Sequence, residues 1–318
     1  MIRLKKILVP TDLSENAAMA YQPAQQIASY FGATVDFIHV IPTSHYFSEK
    51  METIDLPLNR AKYLYSRIHQ QSSSELNELM DNFLDDKSKG DVIVKVAPKP
   101  EKMVLEHATR MGYDMIIMGE KGQQDSNFFR GSITERVMRF AEIPVLVTNT
   151  SNFNNVKNIL TPTDGSKASL EIMLPAISLA LAFDASITML YVVALQWGPV
   201  RGSLQSSADK MVRNNILALL KDLFEHSDDN IELQKGEGFE SQIIYKHGTT
   251  KLILNLKAIV EEGISKTDSI VKYAAKHADL IAMTTHGRSG MAHFFIGSIT
   301  EMVSRRTGIP TLTLKTDF

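Results

Sequence analysis

The stretch Ile7–Ser14 reads ILVPTDLS, and a near copy, ILTPTDGS, stands at Ile159–Ser166. A second motif, GSITE, occurs without change at Gly131–Glu135 and Gly297–Glu301. The first pair lies 152 residues apart (7 to 159) and the second 166 (131 to 297), so the second half carries 14 additional residues between the motifs. Recurrence of two motifs in the same order predicts that the chain consists of two related halves.

Each half alternates apolar, strand-like runs with segments of helical periodicity. The helix after the first strand is predicted over Ser14–Phe31, and its counterpart in the second half over Leu170–Phe183. This alternation predicts the α/β class, with two doubly wound parallel-sheet domains in tandem at 1–150 and 151–318. The segment 227–260 mixes a glycine-rich patch, KGEG at 235–238, with β-prone stretches, and we expect it to hold most of the insertion.

Composition excludes several classes of function. Lysine and arginine total 34 against 36 aspartates and glutamates, a net charge of -2 that provides no bulk positive field for nucleic acid. Cysteine is absent, which removes disulfides, thiolate nucleophiles and cysteine-based zinc sites. Histidines show no metal-binding spacing, and no apolar run is long enough to span a membrane. We therefore expect a cytoplasmic protein without metal, membrane or nucleic-acid contacts.

The fourth strand of each half runs into a glycine-containing loop and then a helix. Backbone N–H groups and the helix dipole at such a junction favour anions, and glycine lets a phosphate approach the backbone closely. Ser132 and Ser298 stand where each helix begins, so either could bind a phosphate oxygen. The alternative is that the glycines serve tight turns and the serines are ordinary N-caps.

Together these motifs resemble the universal stress protein family, twice over and across essentially the whole chain. The resemblance implies that the protein binds ATP or another adenine nucleotide. It places the aspartate after strand one and the backbone at the end of strand two against adenine, and the loop glycines and helix start against ribose and phosphates. The implied residues are Asp12, Val40, Gly119, Gly122, Gly131 and Ser132 in the first half, and Pro162, Thr163, Asp164, Val192, Gly287, Gly297, Ser298 and Ile299 in the second. Arg288 joins them because its positive charge lies in the second loop, beside the expected phosphates.

Two further interpretations concern chemistry. Asp12 and Asp164 also suit an Asx turn, which does not exclude a contact with adenine. His286 lacks a carboxylate or serine partner at informative spacing, so no catalytic residue is predicted. We expect a nucleotide-binding stress-response regulator with slow or no hydrolysis rather than an enzyme. One alternative is a nucleotide-independent interaction module of the same fold, which nucleotide co-purification distinguishes from a nucleotide-binding regulator. The other is an enzyme of the wider adenine-nucleotide α/β group, which would need a second-substrate pocket and would show steady-state turnover.

The resemblance also bears on assembly. It implies that the last strands, at Val145–Thr148 and Thr311–Leu314, pair within the chain to form an intramolecular pseudo-dimer. Such pairing would cover two sheet edges that otherwise invite aggregation. Protein partners and a further homodimer are left open by the sequence.

Both halves depart from the family pattern. The second half keeps nine residues between Gly287 and Gly297 but has Thr284 where the family has a glycine. The first half has one residue fewer in its loop and places Glu120 and Asp125 near the expected phosphates. Like charges lower affinity for a polyphosphate, so we rank the second site above the first.

This ranking is testable with one substitution in each half. Gly297→Val puts a side chain where phosphates meet helix N–H groups, and losing two charge-assisted hydrogen bonds of roughly 1.5–3 kcal/mol each weakens ATP binding about a hundredfold or more. Gly131→Val should matter much less. Isothermal titration of both variants decides, and loss of binding only in Gly131→Val would reverse the ranking.

Overall fold

The computed structural model describes residues 4–43, 58–120, 133–194, 203–226, 231–235, 240–247, 250–285 and 298–316. The chain folds into two compact units, one spanning Leu4–Asn152 and the other including Phe153–Phe318. Two units of α/β structure confirm the predicted fold class. The boundary between residues 150 and 151 and the pseudo-dimer stay predictions.

The first unit is a five-stranded parallel sheet in the order β3-β2-β1-β4-β5. Its elements are β1 (Lys6–Pro10), α1 (Glu15–Ala18), α2 (Tyr21–Phe31), β2 (Thr34–Pro42), α3 (Leu58–Phe83), β3 (Lys89–Ala97), α4 (Pro100–Met111), β4 (Met115–Gly119), α5 (Ile133–Phe140) and β5 (Val145–Thr148). The strand order reverses direction between β1 and β4. Ligands of open α/β sheets bind in the crevice at this switch point, beyond the carboxyl ends of the strands.

Helices cover both faces of this sheet. Crossovers between parallel strands are right-handed, so α2 and α3, which lead from β1 outward to β3, lie on one face. Helices α4 and α5 lead back across the sheet to β5 and lie on the other. Contacts between α2 and α3, and between α4 and α5, agree with these two layers.

The second unit repeats this plan and extends it. Its elements are β6 (Asn158–Thr163), α6 (Lys167–Leu170), α7 (Met173–Phe183), β7 (Ser186–Ala194), α8 (Ser203–Glu225), β8 (Ile231–Lys235), β9 (Glu240–His247), β10 (Thr250–Gly263), α9 (Lys266–His277), β11 (Leu280–Thr284), α10 (Ser298–Thr307) and β12 (Thr311–Leu314). Strands β10-β7-β6-β11-β12 are parallel. Strands β9 and β8 join β10 in antiparallel fashion, so the described residues of the segment 227–260 form these two added strands and the first part of β10.

The prediction of a single helix after the first strand of each half is wrong in one respect, because two helices follow that strand in each unit. Proline has no N–H to donate and its ring clashes with the carbonyl four residues earlier. Pro23 therefore breaks the helix at Met19, the C-cap of α1. In the second unit Pro175 stands in the same relation to Glu171, the C-cap of α6.

The sequence pattern does not predict helix α3. Its buried residues Ser72, Leu76 and Met80 recur every four positions and face the core. Two of the three are apolar, and the stripe is narrow within a long polar segment. The periodic signal was therefore present but weak.

A buried polar cluster fills one corner of the first unit, near the amino ends of β1 and β2. The carboxylate of Asp36, 1% exposed, accepts hydrogen bonds from the Tyr113 hydroxyl (2.5 Å) and the Asp91 backbone N–H (2.8 Å). The Lys6 ammonium lies 3.2 Å from the same carboxylate. Burial, and then the hydrogen bond to Asp36, raise the pKa of Tyr113, so its hydroxyl keeps the proton it donates. We call these four residues the Asp36 cluster.

Removing the Tyr113 hydroxyl tests the contribution of this cluster to folding. Tyr113→Phe deprives a buried carboxylate of one donor, so the free energy of unfolding should fall by about 1.5–3 kcal/mol. Urea denaturation followed by circular dichroism measures it. Tyr30→Phe, at a 45% exposed tyrosine of the same unit, should change stability by less than about 0.5 kcal/mol. Equal effects of the two variants would contradict a stabilising role for the cluster.

Candidate functional site

The turn that follows β1 is held by its own side chains. The Thr11 hydroxyl oxygen accepts the backbone N–H of Leu13 (3.0 Å), and Asp12 Oδ1 accepts both the N–H (3.1 Å) and the hydroxyl (2.5 Å) of Ser14. Ser14 in turn accepts the N–H of Ala17 (3.2 Å) and so caps α1. The Asx-turn interpretation of Asp12 is therefore confirmed, and the strand stops abruptly here.

The second unit builds the same turn after β6. Thr163 Oγ1 accepts the N–H of Gly165 (3.0 Å), and Asp164 Oδ1 accepts the N–H (3.0 Å) and hydroxyl (2.6 Å) of Ser166. The turn needs a left-handed residue, which is Gly165 with φ of 75° in this unit and Leu13 with φ of 66° in the first. A leucine pays roughly 1–2 kcal/mol for this conformation, whereas glycine adopts it freely.

A cavity of about 390 Å³ opens at the carboxyl ends of β1, β2 and β4, at the switch point of the first sheet. Three predicted site residues, Asp12, Val40 and Gly119, line it together. The sequence did not single out the remaining lining residues, which are Pro10, Thr11, Ser14, Asn16, Ala17, Ile38, Pro100, Val104, Met118, Ile133 and Thr134.

Sequence motifs could have predicted some of these additional lining residues but not others. Ile133 and Thr134 belong to the repeated GSITE motif, so extending the prediction past Ser132 would have found them. Pro100 and Val104 come from α4, which no motif marks. They reach the cavity only because the crossover from β3 to β4 carries α4 over the end of the sheet.

Val40 presents backbone rather than side chain to the cavity. Pairing of β1 with β2 ends at Pro10 opposite Ile38, and the Thr11 N–H still binds the Ile38 carbonyl (2.9 Å). Backbone groups two residues apart on a strand point to the same neighbour, so the N–H and C=O of Val40 face the space beyond β1. Val192 lies one residue past Tyr191, the last residue of β7 paired with β6.

Gly119 is required by packing as well as by its place in the cavity. A Cβ added there would lie 1.9 Å from the carbonyl oxygen of Asn16 and 2.8 Å from the Cα of Ala17. Strand β4 therefore approaches the backbone of α1 more closely than any side chain permits. The glycine expected to accommodate a ligand also accommodates a helix.

The helix after each glycine loop is anchored to the end of the fourth strand. Thr134 Oγ1 donates to the carbonyl of Gly119 (3.5 Å), and Thr300 Oγ1 donates to that of Thr284 (2.9 Å). Residues 120–133 join the first pair and residues 285–299 the second, so the one-residue difference lies between equivalent anchors. Thr284 itself is buried, with 6% of its surface exposed.

Glu120 follows Gly119 directly and is half-buried. Burial raises the pKa of its carboxyl to about 6. At neutral pH most of the population is still ionised, so negative charge remains at the end of β4. This agrees with the expectation that Glu120 disfavours a polyphosphate in the first half.

The predicted residues of the second half are distributed among the strand ends and the core. Val192 packs in a buried cluster with Leu190, Ile270 and Met283, and Ile299 packs against that cluster. Pro162 and Thr163 end β6, Asp164 forms its turn, and Ser298 begins α10. The predicted positions that lie outside the described residues are Gly122, Gly131, Ser132, Gly287, Arg288 and Gly297.

The described residues offer neither a cluster of metal ligands nor a membrane-spanning helix. No group of three or more histidine, aspartate or glutamate side chains in this part of the chain is arranged to hold a metal ion. Among the helices in the same ranges, none combines the length and apolarity that crossing a bilayer requires.

The fold and the cavity define a tandem doubly wound α/β protein with a crevice at the switch point of its first sheet. The chain belongs to the universal stress protein family, whose family model matches residues 3–149 and 155–315. This confirms the resemblance inferred from the repeated motifs.

Individual relatives agree with this assignment. A universal stress protein of Synechocystis sp. is 24% identical across 98% of this chain and 100% of its own length. A universal stress protein of Methanocaldococcus jannaschii is 29% identical across 51% of this chain and 84% of its own length. The crystal structure of a universal stress protein from Archaeoglobus fulgidus shares the fold, with a TM-score of 0.63, 16% identity and 98% coverage of both chains.

Gly119→Ala tests the close approach of β4 to α1. Overlap with the Asn16 carbonyl should force the two backbones apart and lower the free energy of unfolding by about 1–3 kcal/mol in urea titration. Gly32→Ala is the control, because a Cβ there meets nothing within 4 Å and only its φ of 67° opposes the change, at roughly 1–2 kcal/mol. Amide exchange should accelerate in β4 and α1 only in Gly119→Ala, and unchanged exchange there would contradict the contact.

Proposed function

We propose that this protein is a stress-response regulator that binds an adenine nucleotide in the cytoplasm and hydrolyses it slowly or not at all. The observation that carries the proposal is the cavity of about 390 Å³ at the switch point of the first sheet. It brings together Asp12, Val40 and Gly119, which the family resemblance implicates in nucleotide binding. Membership of the universal stress protein family supports the stress-response role.

The lining of the cavity suits a flat heteroaromatic base. The side chains of Val104, Met118 and Ile133 supply apolar surface, which is typical of small-molecule pockets. The exposed backbone N–H and C=O of Val40 supply one donor and one acceptor on the edge of the sheet. An adenine ring presents both an acceptor and a donor along one edge, so it complements this backbone.

The phosphates would extend from the cavity toward α5. This helix begins at Ile133 and Thr134, both of which line the cavity, and a helix amino terminus favours anions. The glycine loop at 121–132 precedes that terminus in the sequence. We propose that the loop and the start of α5 hold the phosphates, and that Glu120 lowers the affinity of this half for ATP.

The same lining favours binding over turnover. Of the described residues around the cavity, Asp12 alone carries an ionisable side chain. Its Oδ1 atom is already engaged by Ser14, so Asp12 serves the turn as well as the cavity. General acid–base or nucleophilic catalysis needs a positioned pair of groups, and these lining residues provide no such pair.

Calorimetry on the full chain tests the proposal. ATP titrated into the wild type should bind, and Asp12→Asn should weaken binding in the first unit about tenfold or more through loss of a charge-assisted hydrogen bond. Asparagine keeps an oxygen that can accept from Ser14, so the turn should persist. Glu15→Gln, which removes an exposed carboxylate from neighbouring α1, should bind ATP like the wild type.

The matched variant in the second unit is Asp164→Asn. A larger loss in Asp164→Asn than in Asp12→Asn would support the ranking drawn from the sequence, and the reverse would assign the principal site to the first unit. Absence of binding to ATP, ADP and AMP, together with absence of co-purified nucleotide, would refute the proposal and favour the nucleotide-independent interaction module.

A further inference from the structure

The corner that the Asp36 cluster fills in the first unit has an exact backbone counterpart in the second. Asp114 Oδ2 accepts the backbone N–H groups of Lys5 (2.7 Å) and Lys6 (2.9 Å) at the start of β1. Asp279 Oδ2 accepts those of Lys157 (3.0 Å) and Asn158 (2.9 Å) at the start of β6. The two corners therefore have the same frame, and their side chains can be compared position by position.

The side chains that fill the first corner are missing from the second. Asp36 lies opposite Leu8, and Thr188 takes its place opposite Leu160. The turn that leads into the fourth strand is also one residue shorter, because Ala278 alone replaces Gly112 and Tyr113. The second corner consequently receives neither a carboxylate nor an aromatic ring from these positions.

A cavity of about 550 Å³ occupies the second corner. It lies between the amino ends of β6 and β7, the middle of β10 and the last turn of α9. This volume is within the range of small-molecule sites. It is at the opposite end of the strands from the carboxyl-end turn at Asp164, so it is separate from the nucleotide site that the resemblance implies.

The charge of this corner is opposite to that of the first. Lys257 stands on β10 beside Thr188, and Lys276 and His277 end α9. Lys257 lies in register with Glu240 of the neighbouring strand β9, and among the side chains that the structure describes no carboxylate forms an ion pair with Lys257 or Lys276. The one carboxylate in the lining, Asp279, directs Oδ2 to the two backbone N–H groups of β6.

Neutral donors and a ring wall complete the lining. Asn158 Oδ1 accepts the Ser186 hydroxyl (2.9 Å), which leaves the amide NH₂ of Asn158 as a donor beside the cavity. The rings of Tyr273 and His277 lie in contact along α9, with centroids 4.7 Å apart and planes tilted by 43°. Rings of this kind offer a flat surface to a carbon skeleton, while the ammonium groups suit anionic substituents.

We propose that this corner of the second unit binds a small organic or inorganic polyanion through phosphate or carboxylate groups. Lys276 also compensates the carbonyl end of the α9 dipole, as a cation in a last turn does. Lys257 does not interact with a helix dipole in this way, because it lies on strand β10. A substitution of Lys257 therefore tests anion binding without changing the charge at the end of α9.

Calorimetry with defined anions tests the proposal. Pyrophosphate and citrate are titrated separately into the full chain, with and without saturating ATP, at low ionic strength. At least one should bind in the presence of ATP, and Lys257→Glu should weaken that binding tenfold or more by replacing attraction with repulsion. The preferred anion distinguishes phosphate from carboxylate recognition.

The control is Lys251→Glu, which reverses an exposed lysine on β10 outside the cavity lining and should leave affinity within about twofold. Lys257→Gln, a milder change, should show an intermediate loss, which guards against misfolding of the charge-reversed chain. The proposal is wrong if neither anion binds when ATP is present. It is equally wrong if Lys251→Glu and Lys257→Glu weaken binding to the same extent.

Discussion

The turn after the first strand is the constraint on which each unit depends. Side-chain oxygens of a threonine and an aspartate take up the next backbone N–H groups in both units, through Thr11 and Asp12 in the first and Thr163 and Asp164 in the second. The first strand therefore stops while its neighbour continues, as β2 does to Pro42. A step in the sheet edge results, and the cavity of the first unit occupies that step.

The corners at the amino ends of the strands have the same backbone arrangement in the two units but differ in their side chains. Asp114 and Asp279 hold the start of the first strand in the same way. On that common frame, one corner is packed around Asp36 and the other is a cavity whose lining includes Lys257 and Lys276. Hydrogen bonds between backbone and short side chains set the frame, so longer side chains nearby can vary without changing the fold.

Buried charge is treated differently at the two ends of the first sheet. At the amino ends, Asp36 is nearly inaccessible and has three partners, which offset the cost of removing a carboxylate from water. At the carboxyl ends, the cavity lining is mainly apolar, and Asp12 remains exposed. The first arrangement favours a rigid corner, whereas the second leaves backbone and apolar surface accessible to a ligand.

The sequence by itself determined the repeat and the α/β class, because those features follow from local motifs and strand periodicity. The family resemblance that the same motifs carry implied three residues that line the cavity, Asp12, Val40 and Gly119. Pro23 also indicates the break between α1 and α2, although the apolar periodicity by itself predicts a single helix. Only the tertiary structure decided that Val104 reaches the cavity and that Gly119 packs against Asn16. Both depend on where a crossover places a helix over the sheet, and no local pattern encodes a contact between segments so distant in the chain.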